Sequence, residues 1–221
     1  LRDLGLPVTP GEVDVYVEVD TVAGQPPPDA DQRATVRSTF RSEPPDGIGP
    51  INVHFRQCAD DRESVSGTGD LRERVGEYRD VTGLGFHYML VNDGSLDFEG
   101  QRAAGLTYIA RGEPSWMVVD GTIGDRATPE HESSTVAHEL GHSLGVLSDD
   151  FAGVDSREYT SEEYTSVMNY NHWTPVTFST GEPFDDYERM AEQSFGSFHQ
   201  DRSALREMWE DGEADPGALC G

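Results

Sequence analysis

The N-terminal half of the chain alternates between apolar and polar positions over several short segments. The alternation is strict in VDVYVEV, residues 13–19, and predicts a half-buried β-strand. Similar patterns predict further strands at residues 51–58, 85–93, 105–110 and 116–121. The chain therefore builds a sheet of about five strands before residue 122.

The segments between these strands predict helices. Asp29 or Asp31 can cap a helix that runs to about Phe40, after the break made by QPPPD. Residues 66–83, SGTGDLRERVGEYRDVTG, are polar with a short helical centre. We expect this segment to be a surface excursion between two strands.

The pattern changes to a helical period after residue 127. Thr128 can cap a helix, and Pro129 suits its first position. The helix is expected to run to about Leu144, where Gly145 ends it.

The length of 221 residues fits one domain, with residues 1–145 as an N-terminal lobe and 146–221 as a C-terminal lobe. The C-terminal lobe is irregular to about residue 183, and closing helices are predicted at residues 186–195 and 203–212. Strands followed by helices in this order predict an α+β fold.

The charge balance changes which partners are expected. The formal net charge is −26 at pH 7, and all 16 basic residues are arginine. Such an acidic excess repels nucleic acid and anionic membranes, and screening by high salt relieves its self-repulsion. We expect a halophilic source, and the 35% hydrophobic residues argue against a disordered acidic protein. No apolar run approaches the roughly 20 residues of a membrane span.

The chain contains two cysteines, Cys58 and Cys220. An even count without a CxxC pair fits a single disulfide that closes a very long loop, the alternative being two free thiols. A disulfide implies an oxidising compartment, so an extracellular, secreted location is expected.

The stretch TVAHELGHSLGVLSDD, residues 135–150, carries the candidate chemistry. His138 and His142 are one helical turn apart, so both imidazoles can reach one zinc ion at about 2.0 to 2.1 Å. Glu139 lies beside that ion, where it can accept a proton from the attacking water. The opposite face of the helix is apolar, with Val136, Leu140 and Leu144.

Two motifs together resemble the metzincin clan of zinc endopeptidases. Gly145 extends the first motif to HExxHxxG, and residues 166–170, SVMNY, supply a methionine-containing turn. The resemblance implies a zincin/metzincin-like fold, with a twisted mixed sheet, an active-site helix and a smaller C-terminal lobe. It implies that Met168 forms a floor beneath the ligands. Tyr170 matches a tyrosine that ligates zinc or stabilises the oxyanion in some members.

The same resemblance assigns a substrate-binding strand. GLTYIA, residues 105–110, would be the edge strand, to which an extended peptide adds as another strand.

The third zinc ligand departs from the metzincin pattern, because Ser148 occupies its place and a hydroxyl is a poor zinc ligand. Two aspartates remain as alternatives. Asp149 lies one residue beyond the expected place. Asp155 is preferred, because Gly153 allows a turn back toward the metal and GVDS resembles an element of archaeal proteins similar to metzincins.

Two other histidines are weaker candidates for the third ligand. His172 follows the methionine turn. His131 lies two helical turns before His138 and is expected to be a solvated or capping residue.

These residues predict a monomeric zinc-dependent endopeptidase that acts on peptides or proteins, with Glu139 as general base. The alternative is a catalytically silent zinc-binding module that recognises a protein partner, in which Glu139 would be expendable. A calcium-binding surface protein is disfavoured because the chain has no DxDxDG loop.

Overall fold

The structure is a computed structural model, and it describes residues 7–42, 49–66, 68–79, 86–94, 96–98, 100–109, 115–122 and 129–199. The larger strands are β1 (Val13–Thr21), β2 (Ile51–Gln57), β3 (Phe86–Asn92), β6 (Gly105–Tyr108) and β7 (Trp116–Asp120). Two-residue strands form β4 (Asp97–Phe98), β5 (Gln101–Arg102), β8 (Thr180–Gly181) and β9 (Phe184–Asp185). The helices are α1 (Ala30–Arg41), α2 (Thr68–Tyr78), α3 (Pro129–Ser143) and α4 (Asp186–Glu192), followed by a 3₁₀ segment at Ser194–His199.

The five larger strands form one sheet in the order β2-β1-β3-β7-β6. Neighbours are parallel except β6, which pairs antiparallel with β7 at the edge. The mixed five-stranded sheet and the edge position of residues 105–108 are as the sequence predicts.

The main core lies on the face of the sheet covered by α1 and α3. Alternate residues of the central strands point to this face and are buried, among them Val17, Met89 and Met117. The C-terminal lobe closes the same core from the other side with Val167, Met168 and Phe178. The sheet and the methionine turn therefore hold α3 between them.

The prediction of a half-buried β1 is wrong. Glu18 and Asp20, on the polar face of this strand, are 4% and 0% exposed. The chain after β2 runs along this face, where Arg62 donates to Asp20 Oδ2 at 2.6 Å and the Ala59 amide donates to Asp20 Oδ1 at 2.8 Å. Ion pairing within the fold, rather than water, satisfies the carboxylate.

Residues 66–83 also differ from the expected surface excursion. Their helix, α2, has 11 residues and buries Val75 in a second apolar cluster, on the sheet face opposite α3. Tyr88, Leu90 and Val118 complete this cluster from the sheet.

Capping chemistry fixes the start of α1. Asp29, rather than Asp31, is the N-cap, and it forms a capping box with Gln32. Thr128, the predicted cap of α3, lies outside the described residues, as do the predicted helix at 203–212 and Cys220. Cys58 is disulfide-bonded, and the other cysteine of the sequence lies outside the described residues. No helix in the described ranges is long and apolar enough to cross a membrane.

Candidate metal centre

Helix α3 brings two imidazoles together at the bottom of a cleft. Its apolar face, with Leu140 and Leu144, is fully buried in the main core. The neighbouring face therefore presents His138 and His142, whose Nε2 atoms lie 3.1 Å apart. Both side chains are almost completely buried.

Backbone carbonyls fix the orientation of both rings. Nδ1 of His138 lies 2.8 Å from the carbonyl oxygen of Val167, and Nδ1 of His142 lies 2.6 Å from that of Val146. A carbonyl only accepts hydrogen bonds, so each Nδ1 carries a proton and each Nε2 is left as the ligand atom. This outer support is typical of metal-ligating histidines.

Gly145 turns the chain sharply after α3. Its φ is +115°, and a Cβ at this position would lie 2.4 Å from the Cβ of Gln193. Only glycine satisfies both constraints. The next residues form a turn in which the Leu147 amide donates to Asp150 Oδ2 at 2.7 Å, and Arg189 of α4 holds the same carboxylate through two hydrogen bonds.

The chain then returns to the imidazoles at Asp155. Asp155 has a φ of +52°, in the left-handed region, and its amide donates to the carbonyl of Met168 at 2.9 Å. Its Oδ1 lies 3.0 Å from His138 Nε2 and 3.2 Å from His142 Nε2.

The three atoms fit a divalent metal ion. Two ligands of one tetrahedral zinc, with bonds of about 2.0 to 2.1 Å, lie about 3.3 Å apart. The three atoms are 3.0, 3.1 and 3.2 Å from one another, and two of them are lone-pair nitrogens beside a carboxylate. His138, His142 and Asp155 are therefore the residues that could hold the metal.

A second group of potential ligands, Glu18, Asp20 and Cys58, also occurs among the described residues. Its Asp20 carboxylate is already neutralised by Arg62. It also lies in the covered face of β1, away from the cleft.

The charges at the centre are strongly coupled. Burial lowers the pKa of His138, but Asp155 and Glu139 outweigh burial and raise it to about 9. Burial raises the pKa of Asp155, but the two imidazoles hold that pKa well below its usual range. The carboxylate thus favours positive charge between the three facing atoms, and a metal ion that bound there would take the place of a proton on His138.

Glu139 lies beside the three ligand atoms and contacts the edge strand. Thr107 Oγ1 lies 2.7 Å from Glu139 Oε2, to which it donates. Gly105 approaches so closely that an added Cβ would lie 2.4 Å from Glu139 Oε1. Burial raises the pKa of Glu139, while the two histidines and Thr107 act to lower it.

The methionine turn lies beneath this arrangement. Met168 is fully buried, and its sulfur would lie 2.8 Å from a Cβ added to Gly141, so the turn packs directly against α3. Ser166, at the start of the turn, donates to the buried carboxylate of Asp186 in α4 at 2.6 Å.

The Tyr170 ring stacks on His138, with ring centroids 5.8 Å apart. Burial, together with nearby Asp155, raises the pKa of the Tyr170 hydroxyl.

The other candidates lie apart from the ligand group. Asp149 is exposed, and His172 is buried between the Ser161 hydroxyl and the Pro175 carbonyl. His131 packs against the Trp173 ring, with centroids 5.9 Å apart. Ser148 contacts the centre indirectly, because its hydroxyl donates to Asp155 Oδ2 at 2.6 Å.

Sequence reasoning missed the residues that support the centre. Gly105 and Thr107 are two apart in β6 and share one face, which was a usable signal once the strand was placed at the edge. Asp150 gave no signal, because acidic residues are common throughout this chain, and its contact with Arg189 joins residues 39 positions apart.

A cleft of about 870 Å³ runs over the centre between β6, α3 and the loop after Gly145. The cleft is lined by His138, His142, Asp155, Glu139 and Tyr170, and by the aromatic rings of Tyr108, Trp116 and Trp173. The outer edge of β6 borders this cleft, so an extended chain lying along the strand would pass over Glu139.

Comparison with known proteins identifies the fold. No protein-family model and no curated protein matches this chain. The structure described as metalloproteinase-II from Bacteroides fragilis is similar over 85% of this chain, with 16% sequence identity and a TM-score of 0.50. This chain spans 57% of the length of that protein. The chain shares the fold of that structure, with a mixed five-stranded sheet and helices, which confirms the predicted α+β fold class.

Proposed function

We propose that this chain is a zinc-dependent endopeptidase of metzincin type. The observation that carries the proposal is the convergence of His138, His142 and Asp155 on one point, with the Glu139 carboxylate beside them and a strand edge next to it. Imidazole and carboxylate are ligands that zinc prefers. The similar solved structure is named a metalloproteinase, which agrees with this chemistry.

Each residue has a role in peptide hydrolysis. Zinc held by His138, His142 and Asp155 would polarise the scissile carbonyl and lower the pKa of water toward about 7. Glu139 accepts the proton of the attacking water and returns it to the leaving amine. Burial raises the pKa of Glu139, which favours its acceptance of a proton. The edge of β6 holds the substrate backbone in an extended form, as strand addition requires.

Tyr170 is proposed to stabilise charge that develops on the carbonyl oxygen. Its ring is held against His138 and its pKa is raised, so its hydroxyl keeps its proton and can donate a hydrogen bond. Met168 supports the ligands from below without contacting the metal.

The surroundings proposed for this enzyme follow from its charge and cysteines. A lysine-free chain with a net charge of −26 is suited to concentrated salt. A disulfide between Cys58 and Cys220 would require an oxidising, extracellular location. Thiol titration of the unfolded, unreduced chain tests this: no free thiol is expected, and two would contradict it.

The decisive experiment compares the wild type with Glu139→Gln in molar salt, by zinc content and by cleavage of labelled casein. The wild type should hold about one zinc and cleave casein, and the variant should keep the metal but lose most turnover. Asp149→Asn, which removes an exposed carboxylate from the same cleft, is the matched control and should remain active. Zinc binding without turnover in any form would indicate the silent module. Full activity of Glu139→Gln would contradict the mechanism.

A further inference from the structure

Ser148 occupies the position where the metzincin pattern places the third ligand. It contacts Asp155, the residue that takes the place of that ligand in the proposed site. Its hydroxyl donates to Oδ2 of Asp155 at 2.6 Å, while Oδ1 of the same carboxylate faces the two imidazoles. We infer that Ser148 is a positioning residue that holds Asp155 as a one-oxygen ligand. This inference rests on the proposed zinc site.

The two oxygens of Asp155 have separate environments. A free carboxylate can bind a metal through one or both oxygens, and the choice changes the coordination number. The Ser148 hydrogen bond engages Oδ2 on the side away from the imidazoles. Oδ1 is therefore the one oxygen of Asp155 that would join the two imidazole nitrogens as a metal ligand. A coordination position would then remain for water and substrate.

The backbone around Ser148 is fixed by neighbouring contacts, although its side chain is exposed. The Leu147 amide donates to Asp150, and Arg189 of α4 clamps that carboxylate at 2.5 and 2.8 Å. Ser148 is therefore held in place by a turn that is anchored to the C-terminal lobe.

Asp155 needs this support because its own backbone is unfavourable. A φ of +52° is uncommon for a residue with a side chain. The hydrogen bond from the Asp155 amide to the Met168 carbonyl holds the backbone in this conformation. That hydrogen bond fixes the backbone but not the carboxylate. The imidazoles face Oδ1 and Tyr170 also contacts the carboxylate, while Ser148 supplies the hydrogen bond that holds Oδ2.

The test measures zinc affinity by competition with a chelator, which does not depend on turnover. Ser148→Ala should weaken zinc binding about ten-fold, at the lower end for outer-shell partners because water can reach the vacated position. Ser148→Thr keeps the hydroxyl and should restore affinity to near the wild-type value. Ser156→Ala is the matched control, since it removes a hydroxyl that bonds only within the same loop, to the Ala152 carbonyl and the Glu158 amide.

Cobalt substitution gives a second readout that general loosening of the loop would not produce. Visible absorption of Co²⁺ weakens as its coordination number rises. Ser148→Ala should lower this absorption, because Oδ2 becomes free to join the ion, and Ser148→Thr should restore it.

Unchanged zinc affinity and an unchanged cobalt spectrum in Ser148→Ala would overturn the inference while leaving the proposed function intact. An equal loss of affinity in Ser156→Ala would also overturn it, by showing that loop order alone matters. A wild-type chain that binds no zinc would overturn both proposals.

Discussion

Gly105→Ala should separate catalysis from metal binding. The new methyl carbon would lie 2.4 Å from Glu139 Oε1, and 2.6 and 2.7 Å from Cγ and Cδ. Ordinary van der Waals contact begins at 3.4 Å, so the carboxylate must retreat by about 1 Å. The backbone of Gly105 is not left-handed, and alanine adds no conformational strain there.

The displacement sets the expected loss. A catalytic group misplaced by about 1 Å can cost roughly 100-fold in rate, which corresponds to about 2.7 kcal/mol of transition-state stabilisation. Zinc content should not change, because the atoms nearest to the new methyl all belong to Glu139 rather than to a ligand. We expect kcat to fall about 100-fold in a variant that holds a full complement of zinc.

Initial rates on a fluorogenic peptide in molar salt, together with metal analysis, measure both quantities. Gly76→Ala is the control, since a methyl group at this position in α2 meets nothing within 4 Å. Replacing a glycine inside a helix by alanine stabilises the fold by about 1 kcal/mol. Turnover of Gly105→Ala within two-fold of the wild type would show that the position of Glu139 does not limit catalysis. A parallel loss of zinc would show that zinc binding depends on the position of Glu139.

Three further predictions concern ligand choice, acid stability and salt. Asp155→Ala should weaken zinc binding at least ten- to a hundred-fold, whereas Asp149→Ala should change it little; equal retention in both would exclude Asp155 as the third ligand. Burial lowers the pKa of His172 although the Pro175 carbonyl acts to raise it, so the unfolded chain binds more protons and stability is lost as pH falls below about 6.5. Thermal melts from pH 7.5 to 5.5 should therefore show a smaller decline for His172→Gln than for the wild type, and equal declines would contradict this. The melting temperature should fall as salt is diluted from molar to millimolar, since the net charge of −26 is then unscreened; a constant value would refute the halophilic interpretation.

The sequence predicts the part of the site that depends on local geometry. The spacing of His138 and His142 on one helix brings their imidazoles together whatever the rest of the chain does. Strand alternation likewise predicts the sheet, whereas the edge position of residues 105–108 follows from the metzincin resemblance.

The parts that depend on distant contacts could not be derived. Asp155, rather than Asp149, lies beside the two imidazoles because of its left-handed backbone and the hydrogen bond from its amide to Met168, neither of which has a sequence signature in an acid-rich chain. The contact between Thr107 and Glu139 joins residues 32 positions apart. Burial of the polar face of β1 was missed for the same reason, because the segment that covers Asp20 comes about 40 residues later.

Anomalous diffraction at the zinc edge, on crystals grown with zinc, tests the central claim most directly. We expect one strong peak within about 2.0 to 2.2 Å of His138 Nε2, His142 Nε2 and Asp155 Oδ1, with Glu139 outside bonding distance. A peak at another group of residues, or no peak at α3, would contradict it.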